Sequence, residues 1–219
     1  MTFVDRSEAG RRLAEALLSF KSQRPVILAL PRGGLPVAAE VAAALDAPLD
    51  LVLVRKIGVP VQPELAMGAV VDGGAPIVVR NEDVIALAGI EESEFEAIRD
   101  QELAEIERRR RLYVGNRVPA SVEGRTAIVV DDGVATGATT RAALRAIRLR
   151  LPARLVLAVP VAPTDTLAAL REEADEVVCL ESHAAFGAIG FYYVDFRQVS
   201  DQEVKDIIAR FPSRSASEA

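Results

Sequence analysis

Residues Ala127 to Thr140 read A-I-V-V-D-D-G-V-A-T-G-A-T-T, and their order decides the architecture. Four consecutive apolar residues, Ala127–Val130, make a short strand buried on both faces. Two adjacent aspartates, Asp131 and Asp132, close it. A loop of small residues rich in glycine and threonine then leads into the helical pattern Arg141–Arg148. A strand, an acidic pair and a Gly/Thr turn at a helix start describe a place for a phosphorylated sugar. Backbone N–H groups and hydroxyls cradle a phosphate where the helix dipole is positive, and carboxylates accept hydrogen bonds from vicinal sugar hydroxyls. Neither a G-x-x-x-x-G-K-[ST] phosphate loop nor a G-x-G-x-x-G fingerprint is present. An ordinary strand-to-helix turn with a capping aspartate is the plain alternative. It leaves two carboxylates followed by three threonines unexplained.

Outward from this stretch the chain alternates between two periods. Asp5 to Phe20 reads as an amphipathic helix with Ala9, Leu13, Ala16, Leu17 and Phe20 on one face. Asp5 with Glu8 fits a capping box, and Ser7 is a second candidate cap. Val26–Leu30 is a buried strand ended by the turn Pro31-Arg32-Gly33-Gly34; helix Val37–Leu45 and strand Leu49–Arg55 follow. Ile57–Met67, with two prolines, reads as a loop, and Ala69–Val71 and Pro76–Val79 as a hairpin around Gly73-Gly74. Glu91 to about Tyr113 is a long charged helix whose apolar positions are Phe95, Ile98, Leu103 (or Glu102) and Ile106. Strand Thr126–Val130, helix Thr140–Leu149, strand Leu155–Val159, helix Thr164–Glu173 and strand Glu176–Leu180 complete the pattern. The expectation is an α/β fold, a doubly wound, mainly parallel sheet with helices on both faces. Ligands of such sheets bind at the carboxyl ends of strands, where the acidic pair and the Pro31–Gly34 turn both lie. One domain over residues 1–212 is expected, with a small polar tail, 213–219, left disordered.

Composition narrows the function classes. The chain has 219 residues, half of them hydrophobic, and a net charge of −6, which argues against a general nucleic-acid or membrane-surface binder. The lone Cys179 lies in the apolar run Glu176–Leu180 and reads as a reduced core residue. No apolar stretch is long enough for a membrane span and the first residues carry no signal core, so a soluble, cytoplasmic protein is expected. Arginines outnumber lysines 23 to three, which singles out Lys56.

Three further places could carry chemistry. In Pro31-Arg32-Gly33-Gly34 two glycines let successive N–H groups point at one anion, and Arg32 adds a permanent charge. Arg55 and Lys56 end the next strand, and Glu64 is the only charge in the loop after it; a metal, ribose, substrate or helix-capping role is open to Glu64. Near the C-terminus, Phe186, Phe191 and Tyr192 could stack on a planar acceptor, with Asp195 between Val194 and Phe196; a packed edge strand is the alternative. His183 reads as a surface loop histidine. Arg108–Arg111 splay around their helix, and pairing with Glu102, Glu105 and Glu107 on a solvated face accounts for them.

The acidic pair with its Gly/Thr loop resembles the phosphoribosyl-pyrophosphate signature of the type I phosphoribosyltransferase family. P-R-G-G, V-R-K-I-G and V-D-D-G-x-A-T-G-A-T together resemble an uncharacterised branch of it. The resemblance covers most of residues 1–210. It implies that Asp131 and Asp132 bind the ribose hydroxyls, and that Ala135, Thr136, Gly137, Ala138, Thr139 and Thr140 hold the 5′-phosphate. It also implies that Arg32, Gly33, Gly34, Arg55 and Lys56 meet the pyrophosphate, through a turn with an unusual peptide conformation. Residues 186–196 resemble the hood of 6-oxopurine phosphoribosyltransferases, mainly 181–200 here, which gives Phe186, Phe191, Tyr192 and Asp195 to the acceptor. The lysine that reads a purine 6-oxo group has no counterpart, since none occurs between Lys56 and Lys205. The implied activity is a Mg²⁺-dependent transfer of phosphoribosyl to an acceptor nitrogen with release of pyrophosphate, Asp131, Asp132 and Lys56 being its catalytic residues. The ion is expected to be held mainly by ligand oxygens and water. A non-catalytic regulator that binds phosphoribosyl pyrophosphate or a nucleotide is the alternative. Dimers are common in the resembled family, so a homodimer is also an expectation.

Overall fold

A computed structural model describes residues 2–72 and 76–211, apart from the side chain of Glu64. The expected Gly73-Gly74 turn, the tail 213–219 and the role of Glu64 lie outside the described residues. Five parallel strands form the central sheet: β1 (Val26–Ala29), β2 (Leu49–Leu51), β6 (Thr126–Val130), β7 (Arg154–Pro163) and β8 (Glu176–His183), in the order β2-β1-β6-β7-β8. Alternate residues of each strand go to opposite faces. Ile27, Ala29, Ile128, Val130, Val156 and Ala158 pack with Leu13, Leu17, Leu35 and Val41 from α1 (Arg6–Ala16), its following turn and α2 (Gly34–Leu45). Val26, Leu28, Ala127, Val129, Leu155 and Leu157 pack with Leu144, Ile147, Leu167 and Leu170 from α5 (Ala138–Arg148) and α6 (Thr164–Leu170). Burial on both faces is why these strands read as unbroken apolar runs. It also stabilises each fully buried aliphatic side chain by about 1.5–3 kcal/mol.

The chain runs from β1 to β2 on one side and later returns to β6 on the other side of β1. The carboxyl ends of β1 and β6 therefore flank a topological switch point. Between these passages lies a second sheet, antiparallel, of β3 (Val54–Val59), β4 (Gln62–Val71) and β5 (Ile77–Arg80). It corrects two expectations. The strand Leu49–Arg55 is broken, because Leu53 accepts from the Asp72 N–H and donates its own N–H to the Asp72 carboxylate instead of continuing along β1. The loop Ile57–Met67 is a hairpin, with Pro60 in its turn and Pro63 where the register shifts, two places in which a missing N–H costs no ladder bond. Arg55 and Lys56 accordingly begin β3 and do not end a strand of the parallel sheet.

Helix α4 (Glu92–Val114) covers the second sheet, with Phe95 and Ile106 buried in one cluster with Ile57 and Met67. Its arginines sort as their helical positions dictate. Arg108 and Arg109 pair with Glu105, and Arg111 with Glu107, on the exposed side. Arg110 turns inward to Asp72 at 2.6 Å. Helix α1 ends at Ala16, earlier than expected, and the chain tightens into a 3₁₀ turn, Leu18–Gln23. Asp5 caps it through the Glu8 N–H, and Glu8 reaches back to the Val4 N–H. Two short helices carried no expectation: α3 (Glu82–Ala88), capped by Asn81, and α7 (Asp201–Ala209), with a full Ser200–Glu203 capping box.

Asp72 joins the two sheets. It is 4% exposed, accepts from the Leu53 N–H and from Arg110, and burial still pushes its carboxyl above the usual range. Removing the cation with Arg110→Met is expected to cost about 3 kcal/mol at pH 7.5, the usual result of orphaning a buried charge. The loss should shrink toward pH 5. A carboxyl whose folded pKa rises further gains stability relative to the parent as pH falls through that range. Urea unfolding at the two pH values checks both parts.

Candidate functional site

The turn after β1 and the acidic pair after β6 meet at the switch point, and the contact is tight. A Cβ placed on Gly33 would lie 2.1 Å from Asp132 Oδ2, and one on Gly34 would lie 2.8 Å from the Val130 carbonyl and the Asp131 Cα. Glycine at both positions is what lets the carboxylates stand against the turn. The Pro31–Arg32 peptide is cis, in keeping with the unusual conformation expected of this turn. Arg32 reaches Asp201 at the start of α7, at 3.3 Å, and the Tyr113 hydroxyl donates to the same carboxylate oxygen at 2.7 Å.

The acidic pair is desolvated. Asp132 is 7% exposed, its Oδ2 takes the Arg6 Nε at 2.7 Å, and its carbonyl accepts from the Tyr193 hydroxyl at 2.6 Å. Asp131 Oδ1 accepts the backbone N–H of Asp132. Burial raises both carboxyls, Asp131 well above the ordinary range; the neighbouring Asp132 charge adds to the rise at Asp131, whereas Arg6 pulls Asp132 back down. Burial likewise raises the Tyr193 phenol. Arg6 carries no signal in the sequence that names its partner, 126 positions away. A cation in the first turn of a helix is electrostatically misplaced unless something answers it, and Asp132 does.

The loop after the pair opens α5. Gly137, at φ +75°, is its N-cap, so the first N–H groups of the helix are left without a side-chain cap. Ala135, Thr136, Ala138 and Thr139 are exposed along the loop, whereas Thr140 is buried. Behind the loop, Thr166 Oγ1 of α6 donates to the Ala135 carbonyl at 3.0 Å, and its methyl lies 2.9 Å from where a Gly137 Cβ would be.

The second sheet brings Lys56 beside Thr139; both line a cleft that includes Arg55, Val59 and Pro60. Arg55 is held by Glu102 of α4 at 2.5 Å. Arg32 and Arg55 border one small pocket with Arg109 and Tyr113. Arg32 of the Pro31–Gly34 turn and Arg55 of β3 therefore border a common space, although they belong to different sheets.

Residues 184–200 fold over the other side of the pair as irregular chain with one 3₁₀ turn, Ile189–Tyr192. Phe186 stacks on Tyr192 with centroids 5.0 Å apart, and the His183 ring lies 4.6 Å from Tyr192. The acceptor candidates thus differ in disposition: Phe186 and Tyr192 face each other, Phe191 is 76% exposed, and Asp195 is paired with Arg197, which holds its carboxyl below the ordinary range. His183 ends β8 and is not in a loop. Cys179 is half-buried on β8, where burial pushes its thiol up to about 11. The segment is tied to the N-terminus: Phe3 donates to the Tyr192 carbonyl and accepts from Val194, Arg6 donates to the Arg197 carbonyl, and its guanidinium lies 3.9 Å from the Phe196 ring centroid. Ile189 approaches Gly133, where a Cβ would lie 2.7 Å from its methyl.

Carboxyls whose folded pKa is raised contribute stability at low pH that is lost as pH rises. Asp131→Asn keeps the acceptor oxygen for the Asp132 N–H and removes the charge. The variant is expected to melt about 2–4 °C higher than the parent at pH 7.5, equivalent to roughly 1 kcal/mol. The gain should fade as the pH is lowered toward 4. Calorimetric melting across that range checks the sign.

The family model for the phosphoribosyl transferase domain matches residues 6–196. A Mycobacterium tuberculosis protein named "Putative phosphoribosyl transferase" is 44% identical over 208 residues, which are 95% of this chain and 46% of that protein. The chain thus spans about half the length of the curated relatives it matches. The crystal structure of TT1426 from Thermus thermophilus superposes with a TM-score of 0.83 at 42% identity, covering 97% of this chain and all of that one. The AQ2163 protein of Aquifex aeolicus shares the fold at 12% identity, with a TM-score of 0.51 over 93% of this chain and 84% of that one. No described helix is long and apolar enough to cross a membrane. With the matched region spanning the acidic pair, its loop and the glycine turn, this chain belongs to the phosphoribosyl transferase domain family.

Proposed function

We propose that the protein transfers the 5-phosphoribosyl group of phosphoribosyl pyrophosphate to a nitrogen of a small, nucleobase-like acceptor, releasing pyrophosphate. The observation that carries this reading is the contact of Gly33 and Gly34 with Asp132 and Asp131. It makes a single site of an anion-binding turn and a pair of hydroxyl acceptors. The donor has a phosphate at one end, a pyrophosphate at the other and two vicinal hydroxyls between. Ala135–Thr140 take the 5′-phosphate on the amides of α5, Asp131 and Asp132 the ribose hydroxyls, and Arg32–Gly34 with Arg55 and Lys56 the pyrophosphate. The acceptor enters from the side of Phe186, Phe191, Tyr192 and Asp195.

The reaction needs no covalent enzyme intermediate. The acceptor nitrogen attacks C1′ as the bond to pyrophosphate breaks, and positive charge develops on the ribose ring. Carboxylates held dry against the turn stabilise that charge more strongly than solvated ones, and Arg32 and Lys56 answer the charge growing on the leaving group. Positioning supplies the remainder. Mg²⁺ fits this donor set as an ion carried by the pyrophosphate and ribose oxygens with water, where it would neutralise the leaving group. Asp132 is already matched by Arg6, and no cluster of three carboxylate, thiol or imidazole groups occurs among the described residues.

A pyrophosphate-release assay with phosphoribosyl pyrophosphate, Mg²⁺ and a panel of free bases tests the reading. Release with one base by the parent, lost in Asp131→Asn, is the expected result. Binding of the donor without consumption by any base would mark a ligand-binding regulator, and failure to bind it would remove both readings. Arg6→Met is expected to weaken donor binding about tenfold at pH 7.5, a loss of the size of one charge-assisted interaction. It should also move the acid limb of the binding profile to higher pH, because Asp132 loses the cation that lowers its pKa. Arg6→Lys should recover part of both effects, and donor titrations between pH 5 and 8 measure them.

A further inference from the structure

A cleft of about 270 Å³ lies between the second sheet and the outer side of α5. Its helical wall is one stripe, Ala138, Arg141, Ala142 and Arg145, at the i, i+3, i+4, i+7 spacing of a single face. Ala143, Leu144, Ala146 and Ile147 pack inward on the parallel sheet. Its sheet wall contributes Lys56, Arg80 and Asn81, and Thr136 and Thr139 of the phosphate loop close one end. Asp131, Asp132, the Pro31–Gly34 turn and the aromatic segment take no part in it. The cleft is therefore behind the loop, away from the ribose.

Four basic residues line this space and, among the described side chains, no acidic one does, in a chain whose net charge is −6. Arg80 is engaged by Glu82 and Glu92 and Arg145 by Glu173, carboxylates outside it, and Lys56 also has an interaction of its own. Arg141 differs. Its Nε is shut off from solvent without an acceptor, and no described carboxylate pairs with its guanidinium, so the charge it brings to the cleft lining is uncompensated. Hydroxyl, amide, ammonium and guanidinium donors come from three separate elements, which suits a tetrahedral group with several acceptor oxygens better than a flat carboxylate with two. The remaining lining, including Val54, Ala66, Ala69 and Val79, is small and apolar and leaves room for a carbon body.

We propose that this cleft is a second anion site, which binds a phosphate monoester of small organic body behind the loop that takes the donor. Because Lys56, Thr136 and Thr139 belong to both sites, its ligand tunes donor binding. That regulatory meaning rests on the function proposed above, whereas the binding itself does not.

Inorganic phosphate serves as the probe. Titrated by calorimetry into protein saturated with phosphoribosyl pyrophosphate, it is expected to bind at one site per chain. Arg141→Met should weaken that binding about tenfold while donor affinity stays within about threefold. Asn81→Asp, which retains the cap of α3 and adds a carboxylate to the cleft, should weaken it as well. Absence of phosphate binding to the donor-saturated protein overturns the proposal, and so does unchanged affinity in either variant. If the donor itself fails to bind, the proposed function falls separately. The same variants titrated with phosphate in donor-free protein then decide the cleft.

Discussion

The Asp132 carboxylate occupies the space that a methyl group on residue 33 would need. That exclusion places two carboxylates against a turn of the chain, and much of the surrounding structure answers its consequences. Sheltered from water and adjacent to each other, the two groups resist ionisation. Arg6 offsets one of them, and to do so α1 must bring its first turn over the carboxyl end of β6. The same guanidinium is bound to the Arg197 carbonyl and lies over Phe196, so the C-terminal aromatic segment is anchored through the acidic pair's own counter-ion. A buried ion pair of this kind contributes little net stability after desolvation. Its value is in fixing which groups meet.

The parallel core was legible because its strands are buried on both faces. Ala127–Val130 and Val26–Leu30 are uniformly apolar, and turn residues bound them closely. β7 and β8 run on to Pro163 and His183, beyond their expected ends, because paired backbone continues past the apolar run. The second sheet was hidden by its prolines, which sit at a turn and a register shift where the ladder tolerates them. Capping residues make α7 readable, since Ser200 and Glu203 stand at the spacing of a capping box. Only Val204 and Ile208 of that helix are buried, however, too few for a period to stand out. Within the candidate site, the glycine turn and the acidic pair that the structure brings together could be singled out directly, because glycine, threonine and paired aspartates have few other reasons to cluster. Arg6 and Tyr193 could not, since their role is defined by a partner distant in sequence.

Lys56 shows why sequence position and spatial position must be argued separately. It was expected at the end of a strand of the parallel sheet and instead belongs to an antiparallel hairpin held between α4 and α5. The hairpin's orientation depends on the joint at residues 49–54. There Asp50 accepts from Ala120, Arg117 donates to the Leu49 carbonyl, and Asp72 ties Leu53 to Arg110. A network drawn from residues 49–120 thus sets the placement of a cation that lines a cleft with Thr139.

Thr166 gives that loop a different character from an ordinary glycine-rich turn. Its hydroxyl fastens the Ala135 carbonyl and its methyl fills the space behind Gly137, so α6 props the loop from the rear. A loop that must be ordered by its ligand charges that ordering against affinity, at roughly 0.5–1.5 kcal/mol for each side chain immobilised. Here one hydrogen bond and one methyl contact from α6 hold the loop without a ligand. Under the proposed function, part of the loop's conformational entropy is thus spent during folding, ahead of the anion.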